Sequence, residues 1–186
     1  MDGPGLVILD RDGVINRDRS DFVKSPEEWV ALPGSLEAIA LLSRAGFTVA
    51  VATNQSGLGR GLFDRDTLEA VHEKMRSAVE ESGGRIDIVA YCPHRPEEAC
   101  DCRKPLPGLL HAIAGEYGVP LSGVPCIGDS QRDLDAARAV GARAILVLTG
   151  NGEATSQALD EGDDVEMFPD LLAVTRCLLD EPGSPC

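Results

Sequence analysis

The sequence predicts an α/β fold, a Rossmann-like parallel sheet flanked by helices. Three observations predict it. Short apolar runs alternate along the chain with segments whose apolar residues recur at helical spacing. The apolar runs are nearly continuous, as strands covered on both faces are. Polar residues gather where those runs stop, the place where such sheets bind ligands. The 186 residues, 43% apolar, suit one domain over 1–186 with a single core.

Each element follows from its own residues. Leu6-Val-Ile-Leu9 reads as a buried strand ending at Asp10. Residues 35–44, after Pro33-Gly34, carry helical spacing. A second strand is predicted over 47–52, stopping at Thr53, and a long helix over 64–82. In that helix Leu68, Val71, Met75 and Val79 share a face and Asp64 can cap the start. A third strand follows at 86–91 and a helix at 109–117 that stops at Gly118. A fourth strand at 124–127 ends in Gly128-Asp129, with a helix at 134–140, a fifth strand at 144–148 and helices at 154–159 and 170–179. A short strand at 165–168 is possible, and the tail from Pro182 to Cys186 is expected to be loose.

Composition excludes several classes of function. The net charge of -14 gives nucleic acid and anionic membranes no basic surface to bind. It also repels phosphorylated small molecules at long range, so an anion site has to be assembled locally from a metal and a few placed cations. The start of the chain lacks a basic segment and a long apolar core, so a cytoplasmic protein is expected. Six cysteines in that setting argue against a disulfide framework.

Four strand-end motifs carry chemistry. In Asp10-Arg-Asp-Gly13, two carboxylates spaced two apart leave a strand together. One can attack phosphorus while the other exchanges protons, and Gly13 permits a sharp turn. The plain alternative is a solvated turn. Thr53-Asn-Gln-Ser-Gly57 can grip phosphoryl oxygens, or be a turn of small polar residues. Arg103-Lys104-Pro105 offers charge neutralisation and bidentate phosphate binding, or is solvated surface. Gly128-Asp129-Ser-Gln-Arg-Asp133 places carboxylates at i and i+4 on a strand-to-helix turn. Such a pair suits magnesium, or else an N-cap with an acid in the first helical turn.

The four motifs, in this order over about residues 5 to 150, resemble the haloacid dehalogenase superfamily of phosphotransferases. By that resemblance Asp10 is the nucleophile and Asp12 the general acid and base, while Thr53 and Lys104 stabilise the phosphoryl group. Asp10, Asp129 and the backbone carbonyl of Asp12 would hold Mg2+, with Asp133 supporting from behind. The first strand would lie centrally. The short gap between the first two motifs leaves no room for a large cap domain, so residues 17–29 and a metal loop have to shield the site.

That loop is legible by itself. Cys92-Pro-His94 and Cys100-Asp-Cys102 supply a Cys3His set for a structural Zn2+, favoured over free thiols or a disulfide. Cys102 adjoins Arg103 and Lys104, so the zinc-stabilised loop would stiffen their delivery. His72 and His111 are read as surface or packing residues. DRDGVIN, TNQSGLGRG, CPH, CDCRKP and GDS together look like the zinc-loop branch of the superfamily, whose members act on a heptose bisphosphate or on histidinol phosphate. The unbroken TNQSGLGRG and CDCRKPLPG favour the sugar side, and with it precursors of cell-surface polysaccharide. The resemblance implies that Asp18, Arg19, Ser20 and Asp21 line the substrate entrance. Asn54, Gln55 and Ser56 would touch substrate, and Arg103 would hold its remaining phosphate. Ser130 stands where some members place a substrate-binding lysine.

The expected partner is therefore a small phosphorylated sugar, met by a monomer, with no nucleic acid and no membrane. A nucleic-acid end phosphatase shares the chemistry but conflicts with the charge. A non-enzymatic phospho-acceptor domain would lack the acid two positions after the acceptor, and Asp12 stands there.

Overall fold

The computed structural model describes residues 5–160, 162–163 and 165–180. Six strands form one parallel sheet: β1 (Leu6–Leu9), β2 (Thr48–Asn54), β3 (Ile88–Cys92), β4 (Pro125–Gly128), β5 (Arg143–Val147) and β6 (Glu166–Phe168). Their order is β3-β2-β1-β4-β5-β6, so β1 is internal, as expected. Its register pairs Leu9 with Val51 on one side and with Ile127 on the other. That pairing brings Asp10, Thr53 and Asp129 to one edge of the sheet.

Alternation along β1 divides the core. Val7 and Leu9 join the layer under α1 (Ser35–Arg44), α3 (Arg65–Glu81) and α7 (Leu171–Asp180). Leu6 and Ile8 join the layer under α4 (Gly108–Tyr117) and α5 (Gln131–Ala139). Both faces of the sheet are thus covered. In α3, Leu68, Val71, Met75 and Val79 are fully buried, each contributing about 1.5–3 kcal/mol. Asp64 caps this helix, accepting from the Thr67 N–H at 2.8 Å. Gly118 ends α4 in the left-handed region, at φ 61°.

The predicted elements are all present, with boundaries shifted by no more than three residues. Two additions were not foreseen, a turn of 3-10 helix at Pro26–Glu28 and α2 (Ser56–Gly59). Ser-Gly-Leu-Gly has poor helix propensity. Gly57 is required there by space, because a Cβ would come within 2.4 Å of the Phe63 ring. After β5 comes α6 (Gly152–Ala158), and the 165–168 strand is real and extends the sheet beyond β5, followed by α7. The tail from Pro182 lies outside the described residues. Cys92, Cys100, Cys102 and Cys126 are free thiols and Cys177 is disulfide-bonded. Among the described residues no separate domain covers the carboxyl edge of the sheet, and no helix is long and apolar enough to cross a membrane.

Candidate active site

The carboxyl ends of β1, β2 and β4 open into a cavity of about 330 Å³. It is lined by Asp10, Asp12, Thr53, Lys104, Asp129 and Asp133, drawn from all four motifs. Asp10 leaves β1 with its N–H bonded to the Ile127 carbonyl at 2.9 Å. Its Oδ1 accepts from the Arg11 N–H at 2.8 Å and meets the Lys104 Nζ at 2.9 Å. Its Oδ2 accepts no hydrogen bond from the described residues and is free to react.

Lys104 is buried and fully engaged. Its ammonium donates to the Ala52 carbonyl at 2.7 Å and to Asp133 Oδ1 at 2.6 Å, besides meeting Asp10. Burial alone would lower its pKa, but the carboxylates of Asp10 and Asp133 raise it above the usual lysine range. Asp133 has both oxygens spoken for, since Oδ2 accepts from the Ser130 N–H at 3.0 Å and from its hydroxyl at 2.6 Å. A carboxylate so committed orients Lys104 and caps α5 rather than holding an ion directly.

Asp12 is gripped from several sides. The Arg11 guanidinium reaches Oδ1 at 2.9 Å and Oδ2 at 3.0 Å, Asn16 Nδ2 donates to Oδ1 at 2.9 Å, and Gln55 Nε2 to Oδ2 at 2.8 Å. Burial would raise its pKa, but Arg11, Asn16 and Gln55 hold it below the ordinary carboxylate range. Arg11 is itself fully buried and donates to His72 Nε2 at 3.3 Å. Burial and Arg11 push His72 down to about 3, so its ring is neutral. The packing role read for His72 therefore lies directly behind the Arg11–Asp12 pair, while His111 is exposed.

The carboxylate cluster fits a hard cation. Asp10, Asp129 and Asp133 each present an oxygen, all within 4.8 Å of one another. Burial lifts Asp10 to about 8 and Asp129 to about 6, with neighbouring carboxylates adding to both shifts. A divalent ion removes that penalty. The second cluster fits a soft one. The sulfurs of Cys92, Cys100 and Cys102 and a nitrogen of His94 also lie within 4.8 Å of one another. Cys92 and Cys102 are 3.1 Å apart, and His94 Nδ1 is 3.3 Å from Cys102. A tetrahedral Zn–S distance of about 2.3 Å gives edges of about 3.8 Å, close to the 3.9 Å between Cys92 and Cys100, so Cys92 and Cys102 would move apart slightly around the ion. Burial and the neighbouring sulfurs push Cys102 up to about 12, a strain that a bound cation relieves. The loop also steadies Arg103, whose Nη1 donates to the His94 carbonyl at 3.3 Å.

Several sequence-predicted residues also make bonds within the protein. Asn54 lines the cavity, but its side chain is engaged with the Lys104 backbone by reciprocal 3.0 Å bonds. Gln55 is committed to Asp12 and to Thr53 Oγ1, at 2.9 Å from the latter. Asp18, Arg19, Ser20, Ser56, Arg103 and Ser130 line the cavity as expected. Asp21 does not, because it pairs with Arg19 at 3.0 Å and with Lys24 at 2.7 Å and so braces the entrance loop. Sequence reasoning missed Phe22, Val23, Arg132 and Asn151. Arg132 was legible in principle, because it lies within the Gly128–Asp133 motif. Asn151 had no signal, since it follows a strand whose end carried no charged residue.

A parallel sheet with a carboxylate pair at its central strand, an engaged lysine and an acidic cation site defines a haloacid dehalogenase-type phosphotransferase. Two family models match, HAD-hydrolase-like over residues 101–173 and polynucleotide kinase 3 phosphatase over residues 6–124. The chain is 54% identical over 176 residues to the D-glycero-β-D-manno-heptose-1,7-bisphosphate 7-phosphatase of Bordetella bronchiseptica, covering 95% of this chain and 98% of that one. A crystal structure of the D,D-heptose 1,7-bisphosphate phosphatase from B. bronchiseptica, complexed with magnesium and phosphate, superposes with a TM-score of 0.92 at 54% identity, covering 94% of this chain and 98% of that one. The Burkholderia thailandensis D,D-heptose 1,7-bisphosphate phosphatase gives a TM-score of 0.75 at 45% identity, covering 95% and 99%. This chain belongs to the D-glycero-β-D-manno-heptose-1,7-bisphosphate 7-phosphatase family within the haloacid dehalogenase-type hydrolases.

Proposed function

We propose that this protein hydrolyses the 7-phosphate of D-glycero-β-D-manno-heptose 1,7-bisphosphate, for nucleotide-heptose and cell-surface polysaccharide synthesis. The observation that carries the reading is the pairing of two unlike regions in one cavity. A free Asp10 Oδ2 stands beside Lys104 at its floor, and Arg103 and Arg132 stand at its rim. In a chain of net charge -14, arginines gathered at a cavity rim mark a local site for a second phosphate.

Asp10, Asp129 and the Asp12 carbonyl would hold Mg2+, which when bound supplies charge neutralisation for the phosphoryl oxygens. Asp10 attacks phosphorus, and the bond from phosphorus to the 7-oxygen breaks. Asp12 gives that oxygen its proton. Arg11 and Gln55 keep Asp12 ionised before substrate arrives, and it takes its proton from solvent water when the phosphate's negative charge enters beside it. In the second step Asp12 takes a proton from water, whose oxygen attacks the aspartyl-phosphate and frees Asp10. Lys104 offsets the charge of the phosphoryl group from its place beside Asp10, and the Thr53 hydroxyl donates to a phosphoryl oxygen. Arg103 and Arg132 hold the remaining phosphate, Arg132 serving where Ser130 replaces a lysine. Zn2+ on Cys92, His94, Cys100 and Cys102 keeps Arg103 in place.

The same charge favours a monomer acting on a diffusible sugar, and it speaks against a polynucleotide substrate. The test is phosphate release, with magnesium, from both anomers of heptose 1,7-bisphosphate and from histidinol phosphate. The β anomer should be preferred by at least about tenfold in kcat/KM, the worth of one well-placed contact. Preference for histidinol phosphate would overturn the substrate and leave the phosphatase chemistry in place.

A further inference from the structure

The segment Thr149-Gly150-Asn151, just after β5, touches the carboxylate cluster from a side that the four motifs do not cover. Asn151 donates twice to Asp129 Oδ2, from its backbone N–H at 2.8 Å and from Nδ2 at 3.1 Å. The same Nδ2 donates to Asp18 Oδ2 at 3.0 Å. Both partners are carboxylates and only accept, so the amide nitrogen has to face them. Two glycines close the pocket around the same oxygen. A Cβ on Gly13 would lie 2.0 Å from Asp129 Oδ2, and one on Gly150 2.2 Å from it. The Thr149 hydroxyl ties this segment back to the Gly13 carbonyl at 2.6 Å. Asp129 Oδ1, by contrast, accepts no hydrogen bond from the described residues.

We infer that Asn151 is a positioning residue for the divalent cation and couples that cation to the substrate entrance. It occupies Oδ2 of Asp129 and leaves Oδ1 to the ion. Through the shared amide it links the orientation of Asp129 to the entrance loop that carries Asp18, Arg19 and Ser20. Groups that orient a ligating carboxylate change metal affinity by about 10–100-fold when removed. The backbone N–H survives substitution, so the lower end of that range applies. This inference rests on the magnesium reading given above.

The test uses magnesium alone, titrated calorimetrically into the metal-depleted full chain. Asn151→Ala should weaken magnesium binding about tenfold. Asn151→Ser, whose side chain is too short to bridge both carboxylates and suits the start of a helix, should do the same and guards against a folding artefact. Hydrogen exchange gives a second readout. Magnesium should protect residues 17–24 in the parent protein, and this protection should be lost in both variants. Parent-like affinity in both variants would overturn the positioning role. Unchanged magnesium-dependent protection of 17–24 would overturn the coupling. A parent protein that binds no magnesium would instead bring down the magnesium reading itself, and this inference with it.

Discussion

The two cation clusters of this molecule are built in opposite ways. The carboxylate cluster takes its members from strand ends far apart in sequence, so the sheet has to form before Asp10 and Asp129 meet. The cysteine cluster lies within eleven residues, from Cys92 at the end of β3 to Cys102 on the loop that follows it. The first is positioned by the fold and performs the chemistry. The second positions its own loop, and through the His94 carbonyl it steadies Arg103. Damage to the first should therefore stop turnover while leaving the structure whole. Damage to the second should loosen substrate capture while leaving the reacting groups where they are.

Asp10→Asn is the largest expected effect. Removing the nucleophile should lower kcat by about 10⁴-fold or more, while zinc content and thermal stability in the metal-loaded protein stay near parent values. Steady-state kinetics beside elemental analysis check this, and full activity in the variant would refute the aspartyl-phosphate route. Cys102→Ser comes next. It should release zinc and raise KM for the bisphosphate about tenfold, with a smaller change in kcat, because Asp10 and Asp12 stand on the sheet. A fall in kcat matching that of Asp10→Asn would dissolve the distinction between the clusters. The smallest effect concerns protons. Burial raises Asp10 to about 8 in the metal-free site, so protons compete with the ion below that pH. Apparent magnesium affinity should thus rise about fivefold from pH 7 to pH 8, the ratio expected for one group titrating near 8. An affinity independent of pH would show that Asp10 is already ionised without the metal.

The fold was legible because its strands are short, apolar and separated by amphipathic helices, and α3 placed its four predicted residues at full burial. The reacting groups were legible because they sit at strand ends, where the backbone fixes direction. Their supports were less so. Gln55 and Asn54 look like ligand contacts in sequence, yet their amides serve Asp12 and the Lys104 backbone. Those pairings join residues up to fifty positions apart, and no local pattern encodes them. Asn151 shows the same limit. Its importance comes from the approach of Gly150 to Gly13, a tertiary contact between segments that carry no shared motif.

The pairing of Leu9 with Ile127 has a consequence for how the protein is made. The nucleophile leaves the ribosome more than a hundred residues before its sheet neighbour. At about 5–20 residues per second, Asp10 waits on the order of ten seconds for Asp129 and Asn151. Throughout that interval the nascent chain holds a reactive carboxylate with no cation site and no Lys104 locked beside it. Catalytic competence therefore arrives late, when β4 docks against β1, so that a ribosome stalled before β4 would carry a chain without activity.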